Sequence, residues 1–402
     1  MAEESLRGEA SIIGIGDLAR QRSWPGKSSL GLCAEASKAA IEDAGLQKEH
    51  IDALVCIGGA GENAGSLKFY LGLGGNFAIG ATMGGTSPLV GLAVASSLVA
   101  YGMAKYVLAV YGSGRDEGNP MPRLRQGWTL GQEFEDPYGT YTIEDLTLAM
   151  MYNRHMHEFG TTAEQMAAYA VNTRFNALSN PLAAMANEGA ITVQDVLSSP
   201  MVVEPLHSLE CAPLVGGACA FVVSSSENAD AAPHRPVYVL GLGASTPGDT
   251  PYLKNEGIEY IDPRLTLTPT VWSAKDACEM AGYAPRDMDL LQFHDRYPIL
   301  AAASLEDAGF CRKGEGGAFL AATDTTYNGT LPINTDGGQL SGGRLDAIQG
   351  ASGAPHLIEA VRQLRGEAGS RQVDDANLCM VNLAGDGLSK ASTAILGTDE
   401  TL

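Results

Sequence analysis

The sequence is poor in positive charge and has no long apolar run. Its 402 residues include 26 lysines and arginines against 47 aspartates and glutamates, a formal net charge of −21 at pH 7. So acidic a chain is not expected to bind nucleic acid or an anionic membrane surface. No window approaches the roughly 20 apolar residues that a membrane helix needs. The first ten residues, MAEESLRGEA, lack the apolar centre of a secretory signal. We therefore expect a cytoplasmic protein without a membrane span.

Patterns typical of metal and dinucleotide sites are also missing. The seven cysteines are scattered, form no Cys-x-x-Cys pair and make no cluster with histidine, so a structural zinc is not expected. Their odd number and apolar surroundings favour reduced, buried thiols. Gly14-Ile15-Gly16 lacks the third glycine of a dinucleotide fingerprint. We therefore expect neither a structural metal nor a covalently bound cofactor.

The chain repeats a pattern of strands and helices in two halves. The helical segment Ser37–Gly45 reappears as Ser273–Gly282, and in both copies an aspartate follows the glycine by seven residues. The strand Tyr106–Val110 likewise has a counterpart at Leu378–Gly385. Alternating strands and helices indicate a parallel sheet covered by helices. A repeat of this length indicates two similar domains rather than a solenoid. The sequence therefore predicts a duplicated α/β fold.

A glycine turn at residues 83–87 leads into a small-residue apolar helix that ends near residue 102. Pro88 suits the first helical turn, where its missing N–H has no partner to lose. Gly84 and Gly85 let a ligand approach the backbone, and the free N–H groups of a first turn favour negative charge. Ser87 adds a hydroxyl at the same place. We expect this turn to bind part of the substrate.

Two motifs in the second half complete the pattern: FHDRY at residues 293–297 and NTDGG at residues 334–338. With the glycine turn, they make the chain resemble the sterol-carrier-protein type of thiolase, whose members carry His-Asp-Cys-Phe and Asn-x-x-Gly-Gly there. The resemblance covers essentially the whole chain and implies the thiolase fold, a duplicated five-layered αβαβα architecture with an inserted loop domain. It implies a first half at residues 1–114 and 185–230, a loop domain at 115–184 and a second half at 231–402.

The chain departs from the thiolase pattern at the two residues that carry acyl transfer. Gly85 stands where members of the family have the nucleophilic cysteine. The histidine that activates this cysteine is replaced by Arg344 when the motif is read from Gly337-Gly338, or by Ala347 when it is read back from Gly350–Gly353. That histidine serves to deprotonate the cysteine, so a chain that lacks the cysteine has no use for the histidine. The two losses are therefore consistent with each other. An acyl-enzyme route is therefore not expected.

The resemblance assigns His294 to an oxyanion hole for the thioester, since an imidazole can donate to an enolate oxygen or move a proton near neutral pH. Tyr297 is equally typical of packing at a helix start, and an aspartate in a Gly-x-Gly turn such as Asp386 often serves turn geometry alone. The candidate catalytic residues are His294, Tyr297, Arg344, Asp346 and Asp386, and the candidate substrate-binding residues are Gly84, Gly85, Ser87 and Gly385.

A pocket that holds an enolate without a thiolate favours retro-aldol cleavage of a bulky β-hydroxyacyl-CoA. Residues 308–320 and 359–373 resemble the branch of the family that cleaves steroid side-chain thioesters in this way. That branch pairs with a small DUF35 protein, which carries an OB-fold and a zinc ribbon. The resemblance thus implies a homodimer that forms a heterotetramer with such a partner, and coenzyme A that enters as part of the substrate. Two other classes stay open: a non-catalytic subunit that binds acyl-CoA or lipid, and an acyltransferase with an unconventional nucleophile.

Overall fold

The computed structural model describes residues 5–58, 64–115, 143–229, 231–247, 251–254, 257–260, 265–345, 352–385 and 388–402. Within these ranges, no helix is both long enough and apolar enough to cross a bilayer. The strands are β1 Ala10–Asp17, β2 Ala53–Cys56, β3 Phe77–Gly80, β4 Tyr106–Ser113, β5 Met201–Val203, β6 Leu206–His207, β7 Leu214–Val215, β8 Gly217–Ser225, β9 Val237–Ser245, β10 Pro251–Lys254, β11 Gly257–Tyr260, β12 Leu290–Phe293, β13 Arg344–Leu345, β14 Leu378–Gly385 and β15 Lys390–Gly397.

The helices begin and end close to where capping residues place them. Thr162 caps one helix through a reciprocal capping box, and Gly282, with φ 75°, ends another in the left-handed conformation. The α-helices of the described residues are α1 Ser29–Asp43, α2 Ala64–Leu71, α3 Ser87–Ala100, α4 Ile143–Phe159, α5 Ala163–Leu178, α6 Val193–Ser198, α7 Ser226–Ala229, α8 Thr270–Ala281, α9 Pro298–Asp307, α10 Gly316–Ala322 and α11 Ala354–Leu364.

The main sheet has nine strands in the order β12-β14-β15-β9-β1-β8-β4-β2-β3, and it repeats itself about its middle. On one side β2 runs parallel to β4, and β4 runs antiparallel to β8. On the other side β12 runs parallel to β14, and β14 runs antiparallel to β15. The two sides join at β1 and β9. The duplication predicted from the sequence is therefore present in the strand order and in the strand directions.

Helices lie in three layers around the two halves of the sheet. The central helices α3 and α11 pack against strands of both halves, including β1 and β15. On the outer faces, α1 packs on β1, β4 and β8, whereas α8 packs on β9 and β15. Side chains of β2 alternate between layers, since Val55 joins the central apolar core and Leu54 joins the core under α1. This arrangement is the expected five-layered αβαβα fold.

Helices α4 and α5 cover one end of the second half. Met151, Tyr152 and Met166 are fully buried and belong to the same apolar core as α9 and β12. Most of the methionines and tyrosines of these helices therefore pack in the core. Strand β8 pairs with β1 and β4 of the first half. The boundaries of the three domains stay a prediction.

Candidate active site

The glycine turn holds itself together through its own side chains. The backbone N–H of Met83 donates to Ser87 Oγ at 2.8 Å, and that hydroxyl donates to the carbonyl oxygen of Gly84 at 2.6 Å. Thr86 Oγ1 donates to the carbonyl oxygen of Met83 at 2.6 Å. Gly84 has φ 61°, which a residue with a side chain rarely adopts. The Ser87 hydroxyl thus serves the turn, and its contact with a substrate stays a prediction.

His294 follows the parallel strand β12 and is completely buried. Its backbone N–H donates to the carbonyl oxygen of Asn382 at 2.9 Å, which continues the pairing of β12 with β14. Its ring Nδ1 accepts a hydrogen bond from the backbone N–H of Ala384 at 3.2 Å. Because Nδ1 is an acceptor, the proton of the neutral imidazole lies on Nε2. His294 therefore presents Nε2–H as a donor of fixed direction.

Gly85 lies directly against this imidazole. A Cβ atom added to Gly85 would stand 2.7 Å from His294 Cε1 and 2.4 Å from the carbonyl oxygen of Ala384. A Cβ added to Gly385 would stand 3.3 Å from the backbone nitrogen of Gly85, and one added to Gly353 would stand 3.0 Å from the oxygen of Gly85. The glycine turn, the end of β14 and the start of α11 therefore meet at His294.

A network of buried polar groups fixes the residue after His294. Asp295 Oδ1 accepts from the backbone N–H of Gln339 at 2.7 Å, and Oδ2 accepts from the hydroxyl of Tyr169 at 3.1 Å. The Asn334 side chain donates to that hydroxyl at 2.9 Å and to the carbonyl oxygen of Phe293 at 2.8 Å. Burial raises the pKa of Asp295 to about 7, although these hydrogen bonds favour its charged form. The NTDGG segment thus holds the histidine segment in place.

Buried ion pairs anchor the NTDGG segment from the other side. Asp336 lies 3.0 Å from Arg20 of the first half, and burial raises the pKa of Asp336 to about 6 despite this partner. Glu359 on α11 pairs with Arg371 at 2.8 Å and accepts from Thr335 Oγ1 at 2.9 Å. Burial opposes ionisation of Glu359, yet its positive neighbours lower its pKa overall. These contacts join both halves around the site.

Two of the other predicted catalytic residues, Tyr297 and Arg344, are among the described residues. Tyr297 lies immediately before α9, is 3% exposed and packs in the apolar core. Arg344 begins β13, which pairs with β7, and its backbone N–H donates to the carbonyl oxygen of Pro213 at 2.9 Å. Asp346 and Asp386 lie outside the described residues, as do Ala347, Gly350 and Ala351. The structure thus brings Gly85, Gly385 and His294 together, and the roles of the rest stay predictions.

The structure adds a histidine that the motifs did not indicate. His356, in the first turn of α11, is buried, and its ring centroid lies 6.2 Å from that of His294. Its Nε2 is 3.8 Å from Asp295 Oδ1. The residue stands after a glycine-rich segment and at no position where the thiolase motifs carry histidine. No spacing rule in the sequence could have linked residues 62 positions apart.

Comparison with known proteins supports what the fold and the site suggest. A family model described as thiolase C-terminal domain-like matches residues 258–398. The chain is 32% identical to a steroid side-chain-cleaving aldolase of Thermomonospora curvata, over 98% of this chain and 99% of that protein. It is also 32% identical to an acetyl-CoA acetyltransferase of Methanothermobacter thermautotrophicus, over 94% of this chain and 97% of that protein. The chain belongs to the thiolase superfamily.

The solved structure of an Ltp2-ChsH2(DUF35) aldolase shows the same thiolase fold. It matches with a TM-score of 0.87 at 29% sequence identity, and the match covers 99% of this chain and 100% of that chain. The superfamily and the fold expected from the sequence are therefore confirmed. The relatives carry the names of two different reactions at the same identity, so the choice between these reactions depends on the site.

Six cysteine side chains of this protein lie in environments that disfavour their ionisation to the thiolate. Burial raises the pKa of Cys33 and of Cys56 to about 12, and that of Cys311 to about 12 with added repulsion from nearby carboxylates. Burial likewise raises the pKa of Cys219, Cys278 and Cys379. Since the thiolate is the attacking species, these six cysteines are poor nucleophiles.

Proposed function

We propose that this protein is a carbon–carbon lyase that cleaves a bulky β-hydroxyacyl-CoA by a retro-aldol reaction. The observation that carries the proposal is the contact of Gly85 with His294. At the place where the sequence motif puts the thiolase nucleophile there is no side chain, and a Cβ would stand only 2.7 Å from the imidazole. The donor that would hold an enolate is thus present, whereas position 85 supplies no nucleophile to form an acyl-enzyme.

The proposed reaction needs one base, one acid and donors for an oxyanion. The base takes the proton of the β-hydroxyl, the Cα–Cβ bond breaks, and its electrons pass to the thioester as an enolate. The β-carbon leaves as a ketone or aldehyde. The enolate oxygen accepts from Nε2–H of His294 and from backbone N–H groups of the glycine turn. A proton returned to Cα gives the shorter acyl-CoA, so no water or bound cofactor is consumed.

The proton-transfer groups are proposed from the candidates named above. Tyr297, Asp346 and Asp386 can exchange a proton, whereas Arg344 stays charged and would instead bind an anionic part of the substrate. Burial of His294 strengthens its hydrogen bond to a developing anion, because little solvent competes for that anion.

The named relatives support the class of substrate. The aldolase of Thermomonospora curvata is named for steroid side chains, and the matching solved structure is an aldolase assembled from Ltp2 and ChsH2(DUF35). By that analogy, we assign this protein a steroid side-chain acyl-CoA in the cytoplasm and a DUF35 partner with an OB-fold and a zinc ribbon.

The edge of the main sheet supports a homodimer. Strand β3 is the last strand on the side of the first half, and its Ile79 is 38% exposed. An exposed edge strand offers unpaired backbone groups to a second copy. We propose that β3 and the neighbouring α3 form the dimer interface, and that two partner chains complete a heterotetramer.

The proposal is tested by incubating the protein, co-expressed with its partner, with β-hydroxyacyl-CoA esters of increasing bulk. We expect mass spectrometry to show a ketone or aldehyde and a shorter acyl-CoA. His294→Ala should lower kcat by about 10²–10³-fold, the usual loss of one oxyanion donor. His155→Gln is a matched control, because His155 is another buried histidine and pairs with Glu306 at 2.9 Å.

Two results would replace the proposal with another function. An acyl adduct on the intact protein after a pulse of acyl-CoA would identify an acyltransferase. Binding of acyl-CoA esters that survives His294→Ala, without turnover of any ester by the folded complex, would identify a non-catalytic subunit.

A further inference from the structure

His356 is a buried imidazole that forms no hydrogen bond within the described residues. It is 1% exposed, and neither of its ring nitrogens has a hydrogen-bond partner in the part of the chain that the structure describes. A buried polar group without a partner destabilises a fold by about 1–3 kcal/mol. Most such groups in native proteins are paired, so one that is not requires an explanation. By contrast, the buried His155 has partners on both nitrogens, Thr161 at 2.6 Å and Glu306 at 2.9 Å.

The separation of the two rings allows His356 to reach the atom that His294 is expected to bind. The two ring centroids are 6.2 Å apart, and the planes are inclined by 46°. An oxygen that accepts from a ring N–H at about 2.9 Å lies about 4 Å from that ring's centroid. Two centroids 6.2 Å apart are close enough to share one such oxygen, with an angle of about 100° at that oxygen.

The surroundings keep His356 neutral. Burial, and after it the positive charge of Arg20, lower its pKa to about 3. His356 also lies in the first turn of α11, where the helix dipole disfavours an added proton. Asp295 Oδ1 is 3.8 Å from Nε2, too far for a hydrogen bond, and already accepts from Gln339. A neutral imidazole of low pKa donates an N–H without releasing its proton to the product.

We propose that His356 is a second catalytic imidazole, which shares with His294 the oxygen of the substrate thioester and stabilises the enolate formed there. This assignment rests on the proposed function and adds a residue that the sequence motifs do not contain. It also explains how the site can work with Arg344 or Ala347 in place of the family's second histidine. The start of α11, rather than the preceding loop, supplies the second ring.

The test separates binding of an enolate from binding of coenzyme A. The probes are a nitroalkyl-CoA, whose nitronate anion has the charge and shape of a thioester enolate, and the matching alkyl-CoA thioether, which carries no such charge. We expect His356→Leu to weaken nitronate binding by about 10²-fold and to lower kcat by a similar factor, the effect of one lost oxyanion donor. Binding of the thioether and the KM should stay close to wild type.

Two variants distinguish this role from simple packing. His356→Gln keeps a side-chain N–H and should recover part of the nitronate affinity even if His356→Leu folds poorly. His155→Gln changes a buried histidine outside the site and should leave the preference for the nitronate intact. Equal weakening of both ligands by His356→Leu and His356→Gln, or no weakening of either, would overturn the assignment.

The measurement also keeps the two proposals apart. If the wild-type complex cleaves no ester but prefers the nitronate in a way that requires His356, the retro-aldol proposal fails and the assignment of His356 stands. If the complex cleaves esters and neither variant lowers the nitronate preference or kcat, the assignment fails alone. A wild-type protein that binds both probes equally well also overturns the assignment.

Discussion

The contact between Gly85 and His294 makes a single methyl group a sensitive probe of the site. Gly85→Ala would place a Cβ 2.7 Å from His294 Cε1 and 2.4 Å from the carbonyl oxygen of Ala384. Carbon atoms in contact prefer about 3.5–4.0 Å, so the imidazole or the turn must move by about 1 Å. The oxygen of Ala384 belongs to β14 and cannot move freely, because β14 pairs with strands on both sides.

The expected loss of activity is larger than the expected loss of stability. Overpacking of this kind costs about 1–3 kcal/mol, which lowers the melting temperature of a large domain by a few degrees. A shift of about 1 Å at a catalytic group costs on the order of 10²-fold in rate. We therefore expect Gly85→Ala to lower kcat/KM for the β-hydroxyacyl-CoA about 10²-fold, equivalent to about 2.7 kcal/mol of transition-state stabilisation.

Gly74→Ala is the matched control for this experiment. A Cβ at Gly74 would meet only the carbonyl oxygen of Glu49 at 3.9 Å, an ordinary contact. This variant should keep both the melting temperature and kcat/KM of the wild type. Wild-type kcat/KM in Gly85→Ala would refute the reasoning, since it would mean that the turn does not touch the working position of His294.

Three further predictions concern charge and thiols. Because burial raises the pKa of Asp295 from an ordinary value near 3.9 to about 7, the folded protein holds a proton that the unfolded chain loses. The contribution of this carboxyl to the free energy of unfolding therefore falls as pH rises from about 4 to about 7. In urea unfolding, Asp295→Asn should show a flatter pH dependence of that free energy than the wild type over this range. Parallel curves for the two proteins would contradict this. In the same assay, Glu359→Gln should lower the free energy of unfolding by about 3–5 kcal/mol, because it leaves Arg371 without its buried charged partner. A loss below about 1 kcal/mol would mean that the pair behaves as a surface ion pair. Iodoacetamide at pH 7.5 should leave Cys33 and Cys56 unmodified in the folded protein, and rapid labelling followed by peptide mapping would show that their thiols are not suppressed.

Much of the fold could be predicted from local sequence signals. The strand predicted over Leu378–Gly385 has those bounds in the structure, and the helix predicted after the glycine turn spans Ser87–Ala100. Local patterns succeed there because apolar spacing and capping residues act within a few positions of each other. The duplication could also be predicted, since the same order of helix, glycine, aspartate and strand occurs twice along the sequence.

Side-chain partners across the fold could not be predicted in this way. Ser87 is suited by type to bind a substrate, but the turn engages its hydroxyl as donor and acceptor. Tyr169 packs in the apolar core, yet its hydroxyl donates to Asp295. Each of these contacts depends on how elements pack, and a residue's type and neighbours in sequence do not specify that packing.

The sequence by itself indicated the duplicated α/β architecture, the glycine turn at Gly85 and His294 as a candidate site residue. It could do so because repeats, turns and motifs consist of residues that are close together in the sequence. Only the tertiary structure decided that Gly85 has no room for a side chain beside His294, and that His356 lies close to the same imidazole. The reason is that these groups come from the ends of separate strands and helices, which meet only when the two halves of the sheet close over α3 and α11.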